Sequence, residues 1–124
     1  MKYKVYVIED VASGVWVYVG CTKNKPSRRF AQHLYHAWGY IPMLRDTPEF
    51  INYRIGECTL RSTKQKTIIL CRHWLEIQPV AFKIIGEFDN IKEASDLEHR
   101  VMSEHRPVGN CLIQAPYCQT SPSD

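Results

Sequence analysis

The sequence predicts one α/β (α+β) domain: a small, mostly antiparallel three-stranded sheet flanked by helices. Three observations carry this. Residues 3–9 and 15–20 are dominated by β-branched and aromatic side chains and are joined by the turn-forming stretch Asp10-Val-Ala-Ser-Gly14, the pattern of an antiparallel hairpin. A third strand-like run, VAFKIIGEF, follows at 80–88. Helical patterns occupy 26–39 and 90–105. A length of 124 residues suits one core and leaves no room for a second.

Taken in order, the hairpin comes first. Side chains alternate across a strand, so Tyr6 and Ile8 share one face of the first strand, and Trp16 and Tyr18 share one face of the second. If paired positions sum to 24, Tyr6 lies opposite Tyr18; a slip of one residue sends the two to opposite faces. Helix one begins at Pro26, which suits a first helical position, and ends near Gly39. Phe30, Leu34, Ala37 and Trp38 form its buried stripe. Arg29 and His33, four apart, point together along the helix rim beside that stripe. Residues 46–56 read as a helix with Thr47 as N-cap and Pro48 at the first position. The segment 57–78 is ambiguous: Thr67–Cys71 is strand-like, whereas Cys71–Ile77 fits a helix. In the last helix, Asn90 and Glu93 resemble a capping box, Pro107 stops it near His105, and Ile91, Ala94, Val101 and Met102 mark its apolar face. Glu98 interrupts that face, where a carboxylate is costly unless it is paired, protonated or bound to a metal.

Composition narrows the function. With 44% hydrophobic and 23% charged residues the chain is neither disordered nor fibrous. No apolar run approaches the ~20 residues that cross a bilayer. No signal-peptide core follows Met1, so an intracellular, cytoplasmic protein with reduced thiols is expected. The net charge of +3 is modest, but 23–29 and 61–72 each carry four positive charges and no negative ones. A zinc site would draw on Cys58, Cys71 and His73, with Cys111 or Cys118, although no C-x2-C pair is present.

The order of these residues resembles the GIY-YIG nuclease family. Lys4-Val5-Tyr6 stands for the first signature tripeptide, with Lys in place of its Gly, and Tyr18-Val19-Gly20 for the second. Arg28-Arg29-Phe30-Ala31-Gln32-His33 looks like the family's Arg with a His four residues on, which selects Arg29 over Arg28. Glu98 matches the family glutamate, and Arg106-Pro107 followed by Asn110 matches the closing segment. The resemblance implies a single domain over 1–115 with a variable insertion at about 40–79, leaving 116–124 as a flexible tail.

That resemblance implies a divalent-metal-dependent endonuclease hydrolysing phosphodiester bonds in DNA, more often double-stranded, acting as a monomer or homodimer. Its catalytic residues would be Tyr6, Tyr18, Arg29, His33, Glu98 and Asn110. Glu98 would hold one Mg2+ or Mn2+; Arg29 would clamp the phosphate; Tyr6 would be the base; His33 would orient a tyrosine hydroxyl; Tyr18 would contact phosphate or water; Asn110 would orient Glu98 or a phosphate oxygen. Lys23, Lys25, Arg28, Arg45, Arg54, Arg61, Lys64, Lys66 and Arg72 would meet the nucleic acid, mostly from the insertion. The alternatives are a non-catalytic nucleic-acid-binding module on the same fold and a small zinc-stabilised interaction protein.

Overall fold

The computed structural model describes residues 2–58 and 60–110. The elements run β1 (Tyr3–Asp10), β2 (Trp16–Thr22), α1 (Pro26–Trp38), α2 (Ile41–Leu44), α3 (Pro48–Ile51), a 3-10 turn (Ile55–Glu57), α4 (Thr63–Trp74), β3 (Val80–Phe88) and α5 (Ile91–His105). The three strands form one antiparallel sheet in the order β2-β1-β3. The fold is α+β, as the sequence predicts.

The central strand explains the layering. Val5, Tyr6, Val7 and Ile8 are all fully buried, because helices cover both faces of the sheet. Tyr6 and Ile8 join a cluster with Ala37 of α1 and Ile68–Cys71 of α4. Val5 and Val7 join Val19, Cys21 and the α5 residues Ala94 and Val101. By strand alternation these clusters lie on opposite faces.

Register is where the hairpin departs from the reading that pairs sum to 24. Tyr6 pairs with Gly20, and Ile8 with Tyr18. The displacement is an even number, so Tyr6 and Tyr18 still share a face. Gly20 is needed here: a Cβ on it would lie against the Tyr6 hydroxyl and 2.6 Å from Tyr6 Cζ. The phenol ring lies across the glycine. On the other side of β1 the register with β3 shifts between Val5 and Tyr6, and a bulge of this kind re-aims a side chain. The connecting turn is held by Asp10, whose Oδ2 accepts from Ser13 N at 3.1 Å and Ser13 Oγ at 2.5 Å, while Gly14 takes φ +74°.

Other expectations need correction. Thr67–Cys71 is helical, inside α4, and all five residues are buried. An apolar run buried on most sides carries no periodicity that separates helix from strand. The predicted 46–56 helix starts as expected, with Thr47 Oγ1 accepting from Phe50 N at 3.2 Å, but α3 lasts a single turn. Trp38 is not in the buried stripe: it is 54% exposed and packs on Trp74 with ring centroids 4.9 Å apart. Cys58 and Cys71 are free thiols, whereas Cys21 is disulfide-bonded, against the expectation of reduced cysteines. Cys111, Cys118 and the 116–124 tail lie outside the described residues. No described helix is long and apolar enough to cross a membrane.

The expected last helix forms as read. Asn90 Oδ1 accepts from Glu93 N at 2.8 Å, Asn90 Nδ2 donates to Glu93 Oε1 at 3.1 Å, and Arg106 closes the helix in the left-handed region. The chain then turns back onto the outer edge of β2. Gly109 N donates to Val17 O at 2.7 Å. Asn110 Oδ1 accepts from Val19 N at 2.9 Å and Asn110 Nδ2 donates to Val19 O at 3.0 Å. One side-chain amide thus completes a strand edge whose peptide groups are buried. Asn110→Ala strands both, at roughly 1–3 kcal/mol for each buried group. Urea unfolding of that variant should show a loss of about 2–4 kcal/mol with an unchanged m-value; a loss under about 0.5 kcal/mol would mean that the edge does not depend on the amide.

Candidate active site

The site grows from Tyr6. Its ring is held by stacking on Phe82 of β3, centroids 4.4 Å apart, and by Tyr18 at 6.1 Å. Its hydroxyl reaches α1, where two residues one turn apart meet it. Arg29 Nε donates to the phenol oxygen at 3.2 Å. The hydroxyl is 2.7 Å from His33 Nε2. The four-residue spacing along α1 puts both groups on one side of the phenol. It also decides between the two arginines: Arg28 is exposed, and Arg29 faces the site.

His33 is not at the rim, as its helical position predicts, but buried, at 4% exposure. Burial first, then the charges of Lys66, Arg29 and His36, push its pKa down to about 2. The ring is therefore neutral. The nitrogen that meets the phenol is Nε2, and the direction of that hydrogen bond follows the tautomer of the neutral ring. The three side chains form a chain of hydrogen bonds running guanidinium to phenol to imidazole.

Around this chain opens a cleft of about 250 Å3, lined by Arg29, Gln32, His33, His36 and Lys66. Lys66 comes from α4 and lies over the Tyr18 ring, Nζ 4.5 Å from its centroid. Burial, then Arg29, lower its pKa to about 8. Gln32 Oε1 accepts from Arg29 Nη1 at 3.3 Å and steadies the guanidinium. Cations crowded at partial burial disfavour one another, and an anion entering the cleft relieves that repulsion. Gln32 and His36 were not among the sequence candidates. The signal for them was available in part, since they sit three residues after Arg29 and His33 respectively, along the same helix face.

The remaining candidates are distributed as follows. Glu98 is buried on α5, at 2% exposure. Asn110 binds the backbone of Val19 through both atoms of its amide. Of the basic residues, only Lys66 lines the cleft with Arg29 among the described residues. Arg72 is half-buried and held by the protein itself: Nη1 donates to Phe50 O at 2.5 Å and Nε to Gln78 Oε1 at 2.8 Å, with the guanidinium carbon 5.5 Å from the Phe50 ring centroid. Arg61 Nε donates to Arg106 O at 3.0 Å and Arg54 Nη1 to Tyr53 O at 3.0 Å. Lys64 pairs with Glu49 at 2.8 Å and Arg45 with Asp46 at 3.7 Å, both on the surface. Lys23 lies over the Tyr3 ring at 4.6 Å, and Lys25 and Arg28 are exposed at the start of α1.

Among the described residues the zinc set does not converge. Cys71 Sγ donates to Ala37 O at 3.2 Å, Cys58 Sγ to Arg54 O at 3.2 Å, and His73 Nδ1 accepts from Val80 N at 3.1 Å. Among the described residues, no group of three or more His, Cys, Asp or Glu is arranged to hold a metal ion. A hard divalent cation such as Mg2+ asks less of the protein, since it is held by one or two carboxylates and fills its shell with water and phosphate oxygens. Two carboxylates are buried among the described residues, Asp10 and Glu98. Asp10 is occupied by Ser13 and Gln78 in the hairpin turn. Glu98 fits the single-carboxylate mode.

Compared with known proteins, residues 2–110 match the family model of the GIY-YIG catalytic domain. No curated protein and no solved structure matches the chain significantly.

The electrostatics make one prediction directly. Lys66 is charged below pH 8 and loses its charge as pH rises through about 8. At constant ionic strength, the affinity for a phosphodiester oligonucleotide should fall between pH 7 and 9, and Lys66→Met should bind more weakly and flatten that slope. The sign for stability is opposite. Between about pH 8 and 10.5 the unfolded lysine binds more protons than the folded one, so this group makes the fold more stable as pH rises. Fluorescence anisotropy and thermal melts over the same pH series check both arms.

Proposed function

This chain belongs to the GIY-YIG family, a family of nucleases, and we propose that it is a divalent-metal-dependent endonuclease that hydrolyses phosphodiester bonds in DNA, double-stranded DNA above all. The observation that carries the proposal is the Arg29–Tyr6–His33 hydrogen-bond chain opening into a cationic cleft.

Hydrolysis requires a base for the attacking water and positive charge for the phosphate. Arg29 supplies two functions at once. Its guanidinium is permanently charged and planar, suited to phosphate oxygens, and its Nε stabilises the ionised form of Tyr6 by donating to the phenol oxygen. Tyr6, so polarised, takes the proton of the water. Its own hydrogen passes toward His33 Nε2. The same burial and cations that keep His33 neutral oppose that transfer, and an anionic phosphate in the cleft would offset them. Lys66 adds a second positive contact to the phosphate, and Tyr18 carries Lys66 on its ring face.

Glu98 would hold the Mg2+ or Mn2+; when bound, that ion supplies Lewis-acid charge to the phosphate and to the leaving oxygen. One site per chain makes one nick, so a double-strand break requires a second copy or a second event.

Supercoiled plasmid incubated with Mg2+ tests the proposal: conversion to the open-circular form is expected, and no conversion with Mg2+ or Mn2+ overturns it. Tyr6→Phe keeps the ring on Phe82 and Gly20 but removes the hydroxyl, and should lose ~10²–10⁴ in single-turnover rate while binding nearly normally. Arg29→Ala should cost far more rate than Arg28→Ala; equal losses would detach the guanidinium–phenol bond from the chemistry. Glu98→Gln conserves volume and should remove both cleavage and one bound Mn2+, counted by the electron paramagnetic resonance of the free ion. Retained Mn2+ would assign Glu98 to structure alone.

A further inference from the structure

A second cavity of about 420 Å3 adjoins the cleft, sharing His36 and Lys66 with it, and is further lined by Tyr40, Met43 and Leu44 around α2 and by Lys64 at the start of α4. Tyr40 is 39% exposed and Met43 70% exposed. The rings of His36 and Tyr40 stand 5.3 Å apart and are tilted. Two large side chains at the mouth of a cavity, left uncovered in a chain of this size, call for an occupant.

We propose that this cavity receives a single unstacked nucleobase from the strand whose phosphate lies in the Arg29 cleft. The inference rests on the nuclease reading above and adds a substrate class to it. The two cavities share His36 and Lys66 as walls, and in a nucleic acid a phosphate and its neighbouring base are joined by one sugar, so filling the first brings a base beside the second. The walls match such a guest. An aromatic pair and a polarisable thioether give faces on which any base can stack. Lys66 stands between the cavities, where the linking phosphate passes. Lys64 stands further along, positioned for the next phosphate although tethered to Glu49 at 2.8 Å. The volume lies within the range of small-molecule sites. A base paired and stacked in a regular duplex must be extruded to enter, so within double-stranded DNA the enzyme acts best where a base is already unpaired: at a mismatch, a bulge or a single-strand junction. Such sites spare the cost of extruding a base.

The test separates this subsite from the nuclease reading by measuring binding without cleavage. The probe is an abasic DNA heptamer bearing one 2-aminopurine, titrated into the full chain in EDTA, with the all-abasic heptamer as the reference. Fluorescence of the 2-aminopurine and competition by the reference give both affinities. The base-bearing strand is expected to bind about tenfold more tightly, as stacking of one base on an aromatic surface provides. Tyr40→Ala and Met43→Glu should each abolish that difference. Tyr40→Ala should also leave the affinity of the all-abasic strand unchanged. Both side chains are exposed, and the α2 hydrogen bonds at Tyr40 run through its backbone, so both variants keep the fold. Equal binding of the two strands by the wild type overturns the proposal, as does a tenfold preference that survives in both variants. Plasmid nicking by the same preparations reports the nuclease reading on its own: nicking without base discrimination refutes the subsite alone, and discrimination without nicking refutes the nuclease alone.

Discussion

The phenol of Tyr6, lying across Gly20 with its hydroxyl between Arg29 and His33, is the interaction on which the rest depends. It couples three elements: the central strand, the edge strand and the first long helix. The strand register is set where the ring needs an opposing residue without a side chain. The bulge between Val5 and Tyr6 turns the ring toward α1, and Phe82 of β3 covers its other face. Any residue larger than glycine at position 20 forces the ring away and breaks the hydrogen-bond chain at its middle.

The electrostatics follow from this placement. Burying a histidine among a lysine, an arginine and a second histidine costs stability, because each positive charge penalises the others and desolvation penalises all of them. A fold meant only to be stable would place apolar side chains there. The arrangement suits a site that is completed by an anion, in which unfavourable charge in the empty state becomes favourable binding in the occupied one. Glu98, on α5, is one of the two carboxylates buried among the described residues.

The segment expected to be a variable insertion, residues 40–79, contributes more than a surface. Its helix α4 packs along α1, fills the core with Thr67–Cys71, and delivers Lys66 into the cleft. Its short helix α2 walls the adjoining cavity. The basic residues of the segment fall into two physical classes. Arg72 is half-buried and held by carbonyls and rings of the protein itself, whereas Lys64 and Arg45 remain on the surface with carboxylate neighbours. Count of positive charges along the chain does not distinguish these classes; only the position of each side chain relative to the core does.

The sequence by itself determined the elements whose signals are local. The hairpin, the Pro26 start of α1, the strand at 80–88 and the Asn90–Glu93 cap all depend on residues within a few positions of one another, and all form where the pattern predicts. The four-residue spacing of Arg29 and His33 likewise places them together on any helix. Tertiary structure alone decided what depends on distant partners. Whether Thr67–Cys71 became helix or strand rested on burial against α1, because a run that is apolar throughout has no periodicity of its own. The pairing of Tyr6 with Gly20 rather than Tyr18 rested on the room one ring requires. Asn110 became a surrogate strand because the exposed edge of β2 lay within reach after Arg106 and Pro107 turned the chain. His33 moved from a helix rim to a buried position, and Lys66 from a basic stretch to the cleft, for the same reason: burial is a property of the assembled layers and is not carried by any one segment.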